Sequence, residues 1–108
     1  MQTEVNKMSE ATIRALDFTV EDEKLVDSAE RLAGAITDSL GEHDRVVVSL
    51  EGLRGVSSSY FNVILRNLVS SIDLVAVEKR VKFQFDSLAQ EMVYQRSLLS
   101  FREEGAVA

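Results

Sequence analysis

The sequence predicts an α/β fold in the order strand, helix, strand, helix, strand, helix, with a largely parallel sheet covered by helices. Three observations carry this expectation. Arg45–Leu50, "RVVVSL", is a short, β-branched, almost wholly apolar run of the kind found in a strand buried on both faces at the centre of a parallel sheet. In "KRVKFQF", Val81, Phe83 and Phe85 alternate with Lys82 and Gln84, which is strand period and suggests an edge strand or a sheet face open to solvent. Between these segments lie stretches of helical period long enough to serve as crossovers.

Residues 1–10 are polar and are expected to form a disordered tail, with a single domain over 11–102 and a frayed tail over 103–108. "ATIRALDF" (Ala11–Phe18) is the expected first strand, although Ala15 and Leu16 are adjacent apolar residues and break its alternation. A helix is expected from Thr19 as cap, with Glu21, Asp22 and Glu23 at the end where the helix dipole favours acids. Leu25, Ala29, Leu32, Ile36 and Leu40 follow one face of it, Gly41 is placed to end it, and His43 falls in the turn beyond. After the strand Arg45–Leu50 and the loop Glu51–Gly55, Ser57 or Ser58 caps a second helix running to about Val77, with Phe61, Leu65, Leu68 and Ile72 on one face. Ser87, with Gln90 three residues later, forms a capping-box pattern that opens a third helix, "LAQEMVYQRSLLSF".

Composition narrows the function classes. The 108 residues suit one domain and can bury roughly two-thirds of the unfolded chain's surface. There is no cysteine and one histidine, His43, and no D-x-D-x-D-G loop, so no thiol chemistry, metal site or cofactor is expected. "GVSSS" has Ser59 where the second glycine of a nucleophile elbow belongs, and "GLRGVSSS" lacks the G-K-S/T of a phosphate loop. No catalytic residue is assigned, and the chain reads as a non-enzyme. A net charge of −6 disfavours nucleic acid, and neither a secretory signal nor an apolar run of membrane-spanning length is present. The expectation is a soluble cytoplasmic domain that engages neither nucleic acid nor membrane.

The three serines Ser57, Ser58 and Ser59 lie at the expected start of the second helix, past the end of a buried strand. Capping needs one hydroxyl. The same place suits a ligand or modification, because sites in open α/β sheets gather beyond the carboxyl ends of strands and a helix N-terminus accepts a phosphoryl group. Capping alone and capping with a partner or phosphate role both stand on this reading.

"VVVSLEGLRGVSSSYFNVIL" resembles the central segment of STAS domains, the fold of the anti-sigma factor antagonists. Their pattern is a buried strand, a loop with two apolar positions, a turn with two hydroxyl residues and an amphipathic helix. Val46–Leu50 matches the strand, Leu53 and Val56 the loop positions, and Ser58 and Ser59 the hydroxyls. The match is nearer to a divergent STAS-like family of unknown function, whose first helix "DSAERLAGAI" also resembles, and the likeness covers roughly residues 20–100. Ser57 stands where the antagonists have the Asp of the turn, Ser49 where they have the Asp of the strand, and Tyr60 where they have the turn glycine.

The resemblance implies a small STAS-like sandwich and a regulatory protein-interaction module. It implies a partner of the ATP-binding serine-kinase or ATPase type, with phosphorylation at Ser58 as the switch and Ser57 and Ser59 as lesser candidates. The expected docking residues are Glu51, Gly52 and Arg54 in the loop, and Tyr60, Val63 and Arg66, which fall away from the Phe61–Leu65–Leu68 stripe. The alternative is a structural module that dimerises or assembles through an open sheet face without a phosphoswitch.

Overall fold

The computed structural model describes residues 9–107, and side chains as far as residue 104; most of the expected N-terminal tail lies outside the described residues. The elements are β1 (Glu10–Arg14), α1 (Ala29–Leu40), β2 (Arg45–Ser49), α2 (Ser58–Val69), α3 (Leu74–Arg80), β3 (Val81–Gln84) and α4 (Leu88–Val107). β2 is the central strand, paired in parallel with β1 on one side and β3 on the other. This is the expected α/β architecture. α4 runs on to Val107, into the stretch expected to fray.

Register sets the two faces of the sheet. Ala11, Val46 and Val81 lie in one row and Ile13, Val48 and Phe83 in another, all on the face that packs into the core. The other face carries Glu10, Thr12, Arg14, Arg45, Val47, Ser49, Lys82 and Gln84, every one of them exposed or half-exposed. Helices therefore cover one face, and the expectation that β2 is buried on both sides is corrected. Val46 and Val48 are fully buried, whereas Val47 is not. Among the described residues no helix covers this face, and apart from Val47 its side chains are polar or charged.

Three further elements depart from the sequence reading. The first strand stops at Arg14, and Ala15–Phe18 coil into a 3-10 turn. The doublet Ala15–Leu16 marks the change: Ala15 is buried, Leu16 is exposed, and both the backbone N–H and the hydroxyl of Thr19 donate to Leu16 O. Thr19 thus closes that turn and does not cap α1. A second 3-10 turn, Leu25–Ser28, precedes α1, which starts at Ala29. The segment between is irregular, with Asp22 at a φ of 70°, and Arg31 holds it by donating to Phe18 O at 2.9 Å and pairing with Glu23. The hydrogen bonds that the Arg31 guanidinium donates to the Glu23 carboxylate hold its pKa below the ordinary value.

The expected second helix is two helices bent by 110°. Ser70 Oγ donates to Asn67 O and ends α2, and Asp73 Oδ1 accepts from Ala76 N–H at 2.8 Å and caps α3. Arg80, at the end of α3, donates to the carbonyls of Leu40, His43 and Asp44 and so satisfies the C-terminal end of α1 and the turn into β2. Gly41 ends α1, as expected, but in right-handed conformation with its N–H on Thr37 and Asp38 carbonyls.

The core lies between the sheet and α1, α2 and α4. Leu32, Ile36, Val46, Val48, Phe61, Ile64 and Leu65 are fully buried in it. Phe61 sits at an aromatic junction, with ring centroids 5.6 Å from Phe83 and 5.2 Å from Tyr94, both edge-to-face. The junction ties α2, β3 and α4 together at the first turn of α2.

Candidate functional site

The site forms at the carboxyl end of the sheet, where the β2–α2 loop meets the β3–α4 turn. Leu50 N–H extends the ladder past β2 by donating to Gln84 O. The chain then turns through Glu51–Gly55, with Leu53 buried and Glu51, Gly52, Arg54 and Gly55 exposed. Gly52 and Gly55 both have left-handed φ, 85° and 71°, which a side chain resists. At Gly52 a Cβ would also come to 3.1 Å from Leu16 Cδ2.

Two tethers hold this loop to the start of α4. Gly52 N–H donates to Asp86 Oδ2 at 3.2 Å, and Gln90 Nε2 donates to Leu53 O at 3.4 Å. Gln90 is buried, and its Oε1 accepts from Asp86 N–H at 2.7 Å while its own N–H donates to Ser87 Oγ at 3.2 Å. The capping box expected at Ser87 and Gln90 is present, with the glutamine side chain reaching the residue before the cap. Its free amide end is what fixes the neighbouring loop. Asp86 and Gln90 were not expected at the site; the capping pattern was the only sequence signal pointing at either. Two shallow hollows flank the tethers, about 180 Å³ beside Val56 and Ala89 and about 240 Å³ beside Arg54 and Asp86.

Ser57 is the N-cap of α2, in extended conformation, and its side chain makes no capping bond. Ser57 and Ser59 are exposed; Ser58 is half-buried at the first helical position, and its carbonyl accepts from the buried Ser97 hydroxyl at 3.3 Å. The first turn of α2 contains no acid. Along the outer face, Ser59, half-buried Val63 and exposed Arg66 follow one helical stripe.

Tyr60 does not belong to that surface. It is 1% exposed, and its placement among docking residues is corrected. The expectation assumed a narrow apolar stripe, but α2 packs against α1 on one flank and α4 on the other, so Tyr60, Phe61, Ile64, Leu65 and Leu68 all go inside. Burial pushes the Tyr60 hydroxyl up to about 12, an effect that neighbouring Ser28 partly offsets. No hydrogen bond of ordinary geometry reaches the Tyr60 hydroxyl, and Ser28 Oγ donates its own proton to Leu25 O. Tyr94, across the aromatic junction, is likewise pushed up to about 12, by burial first and by the Glu78 charge second.

Among the described residues no three His, Asp or Glu side chains gather closely enough to hold a metal ion. Among them, too, no single helix is long and apolar enough to cross a membrane.

A small helix-covered parallel sheet with a constrained loop leading into the second helix is the arrangement of a STAS-like domain. The family model described as a STAS-like domain of unknown function matches residues 28–87, more than half of the chain, and the chain belongs to that family. No curated protein matches the chain, and no solved structure does.

Proposed function

We propose that this chain is a regulatory protein-interaction module without catalytic activity. It docks a protein partner through the Glu51–Ser59 loop and the outer face of α2, and phosphorylation of Ser58 weakens the contact. The observation that carries this reading is the double tether of an exposed loop. Glu51, Gly52 and Arg54 face solvent, yet Asp86 and Gln90 fix the loop from behind. A loop ordered before binding loses less entropy on docking, which favours recognition. Exposed Arg66 and half-buried Val63 extend the same surface along α2. The resemblance to antagonists supports a partner of the ATP-binding serine-kinase or ATPase class.

Ser58 supports a charge switch on electrostatic grounds. It opens α2, whose first turn has no acid, so a phosphate there meets the helix's unpaired N–H groups and no like charge in that turn. Added to a chain of net charge −6, it alters the docking surface without entering the core. Ser57, the N-cap, makes no side-chain bond, so capping leaves its hydroxyl unaccounted for.

The test is capture of partners from the native host with wild-type protein, Ser58→Asp and Ser58→Ala, followed by titration of the purified partner. Ser58→Asp is expected to bind at least about tenfold more weakly, or about 1.4 kcal/mol, with its melting temperature almost unchanged. Ser58→Ala is expected to bind as wild type does. Equal affinity for Ser58→Asp would refute the switch, and equal affinity for Arg54→Glu would refute the docking surface.

A further inference from the structure

Helix α4 has two apolar faces. Gln90, Tyr94, Ser97 and Leu98 are buried against the domain. On the opposite side Leu88, Met92 and Leu99 are 69%, 57% and 51% exposed. With Gln95 they recur at spacings of four, three and four, which confines all four to a stripe about 60° wide at 3.6 residues per turn. Single exposed apolar residues are ordinary, but a stripe aimed directly away from the core has no packing role inside the monomer.

Leu88, Met92, Gln95 and Leu99 have the d–a–d–a spacing of a two-stranded coiled coil. In that frame Glu91 occupies g and Arg96 occupies e. Across a parallel pair of helices, a g residue faces the e residue five places further along the partner. Glu91 and Arg96 are five apart, opposite in charge and exposed, and neither belongs to an ion pair among the described residues. In an antiparallel pair g meets g and e meets e, which leaves Glu91 with no cation opposite.

We propose that α4 pairs in parallel with α4 of a second copy of this chain, about a twofold axis running along the seam. Leu88, Met92, Gln95 and Leu99 form the contact, and Glu91 of each copy faces Arg96 of the other. The stripe spans only residues 88–99, so the association is reversible and concentration-dependent. The contact residues lie on α4 and not in the Glu51–Ser59 loop, although Ala89, beside Leu88, shares a hollow with Val56 of that loop. Two copies would present two docking loops, so a partner offering two sites gains avidity. This inference does not rest on the Ser58 switch: a chain that dimerises normally but ignores Ser58→Asp would overturn the switch alone.

The chain has no cysteine, so introduced thiols report their own neighbours. In the parallel pair, Met92→Cys and Gln95→Cys should each form a disulfide-linked dimer on mild oxidation when alone. In an antiparallel pair with Leu88 opposite Leu99, residue 92 meets residue 95, and only a mixture of the two variants would cross-link efficiently. Sedimentation equilibrium should show a monomer–dimer equilibrium for the full chain. Leu99→Glu should abolish it with circular dichroism unchanged. Glu91→Arg should weaken it about tenfold, and Glu91→Arg combined with Arg96→Glu should restore it. A wild-type chain that stays monomeric up to about 1 mM overturns the proposal. So does cross-linking confined to the mixture, and so does a stripe that only a partner of different sequence occupies.

Discussion

Removal of the Gln90 side chain is expected to loosen the docking loop more than its small size suggests. Gln90 is 6% exposed and joins three places: the Asp86 N–H, the Leu53 carbonyl and the first turn of α4. Gln90→Met keeps the volume but deletes both side-chain bonds. The Leu53 carbonyl is buried and would be left without this donor, at about 1–3 kcal/mol. The Asp86 N–H lies on an exposed residue, where water replaces much of the lost bond, so its contribution is about 0.5 kcal/mol. The sum is about 2.5 kcal/mol, which lowers the melting temperature of a domain this size by roughly 10–12 °C. Gln90→Ala also loses the buried stem and should cost about 1 kcal/mol more. Urea unfolding gives both differences, and native-state amide exchange locates them. Exchange at Gly52, Leu53 and Arg54 should accelerate well before that of Val46 and Val48. If Gln90→Met costs less than about 0.5 kcal/mol and loop exchange is unchanged, the tether does not hold the loop and the preorganisation argument fails.

Phe61 is fully buried with three aromatic neighbours, so Phe61→Ala is expected to cost about 3–5 kcal/mol in urea melts, and a loss under about 1 kcal/mol would mean that the aromatic junction is not the core beneath the site. The chain's two tyrosines, Tyr60 and Tyr94, are both pushed up from 10.0 to about 12, so tyrosinate absorbance should be nearly absent at pH 10 while the protein is folded. The native state then holds protons that the unfolded state releases, so stability is intact below pH 10 and falls as pH rises towards 12, by a few kcal/mol in all. A tyrosine titrating normally in the folded chain would place at least one ring at the surface.

The alternation of strands and helices, the central strand, the parallel neighbour β3 and the start of α4 were legible in the sequence. The strands and the helix start follow from patterns among residues close in the chain, and the parallel sense of β2 and β3 from the helical stretch that has to cross between them. Val46 and Val48 fall on one side of a strand wherever it packs, and Ser87 caps through a residue three places on. The family was legible for the same reason, since its motif is one continuous stretch through β2 and α2. The break between α2 and α3 was also partly legible, because Asp73 is a good cap, but an unbroken apolar period ran over it.

The rest depends on packing between elements far apart in the chain. Whether Tyr60 faces a partner or the core depends on how many sides of α2 are covered, and α1 and α4 cover two flanks. α1 begins at Ala29 because the chain before it is held by Arg31 on Phe18 and Glu23, contacts eight and thirteen residues away that periodicity cannot register. The candidate site depends on residues still farther apart. Asp86 reaches Gly52 over 34 positions and Gln90 reaches Leu53 over 37, so the loop acquires its rigidity only once β3 has paired with β2 and delivered α4 alongside it. The same packing separates the two apolar faces of α4: periodicity shows that both exist, and only the placement of the helix against the sheet and α2 decides that Tyr94 and Leu98 go in while Met92 and Leu99 stay out.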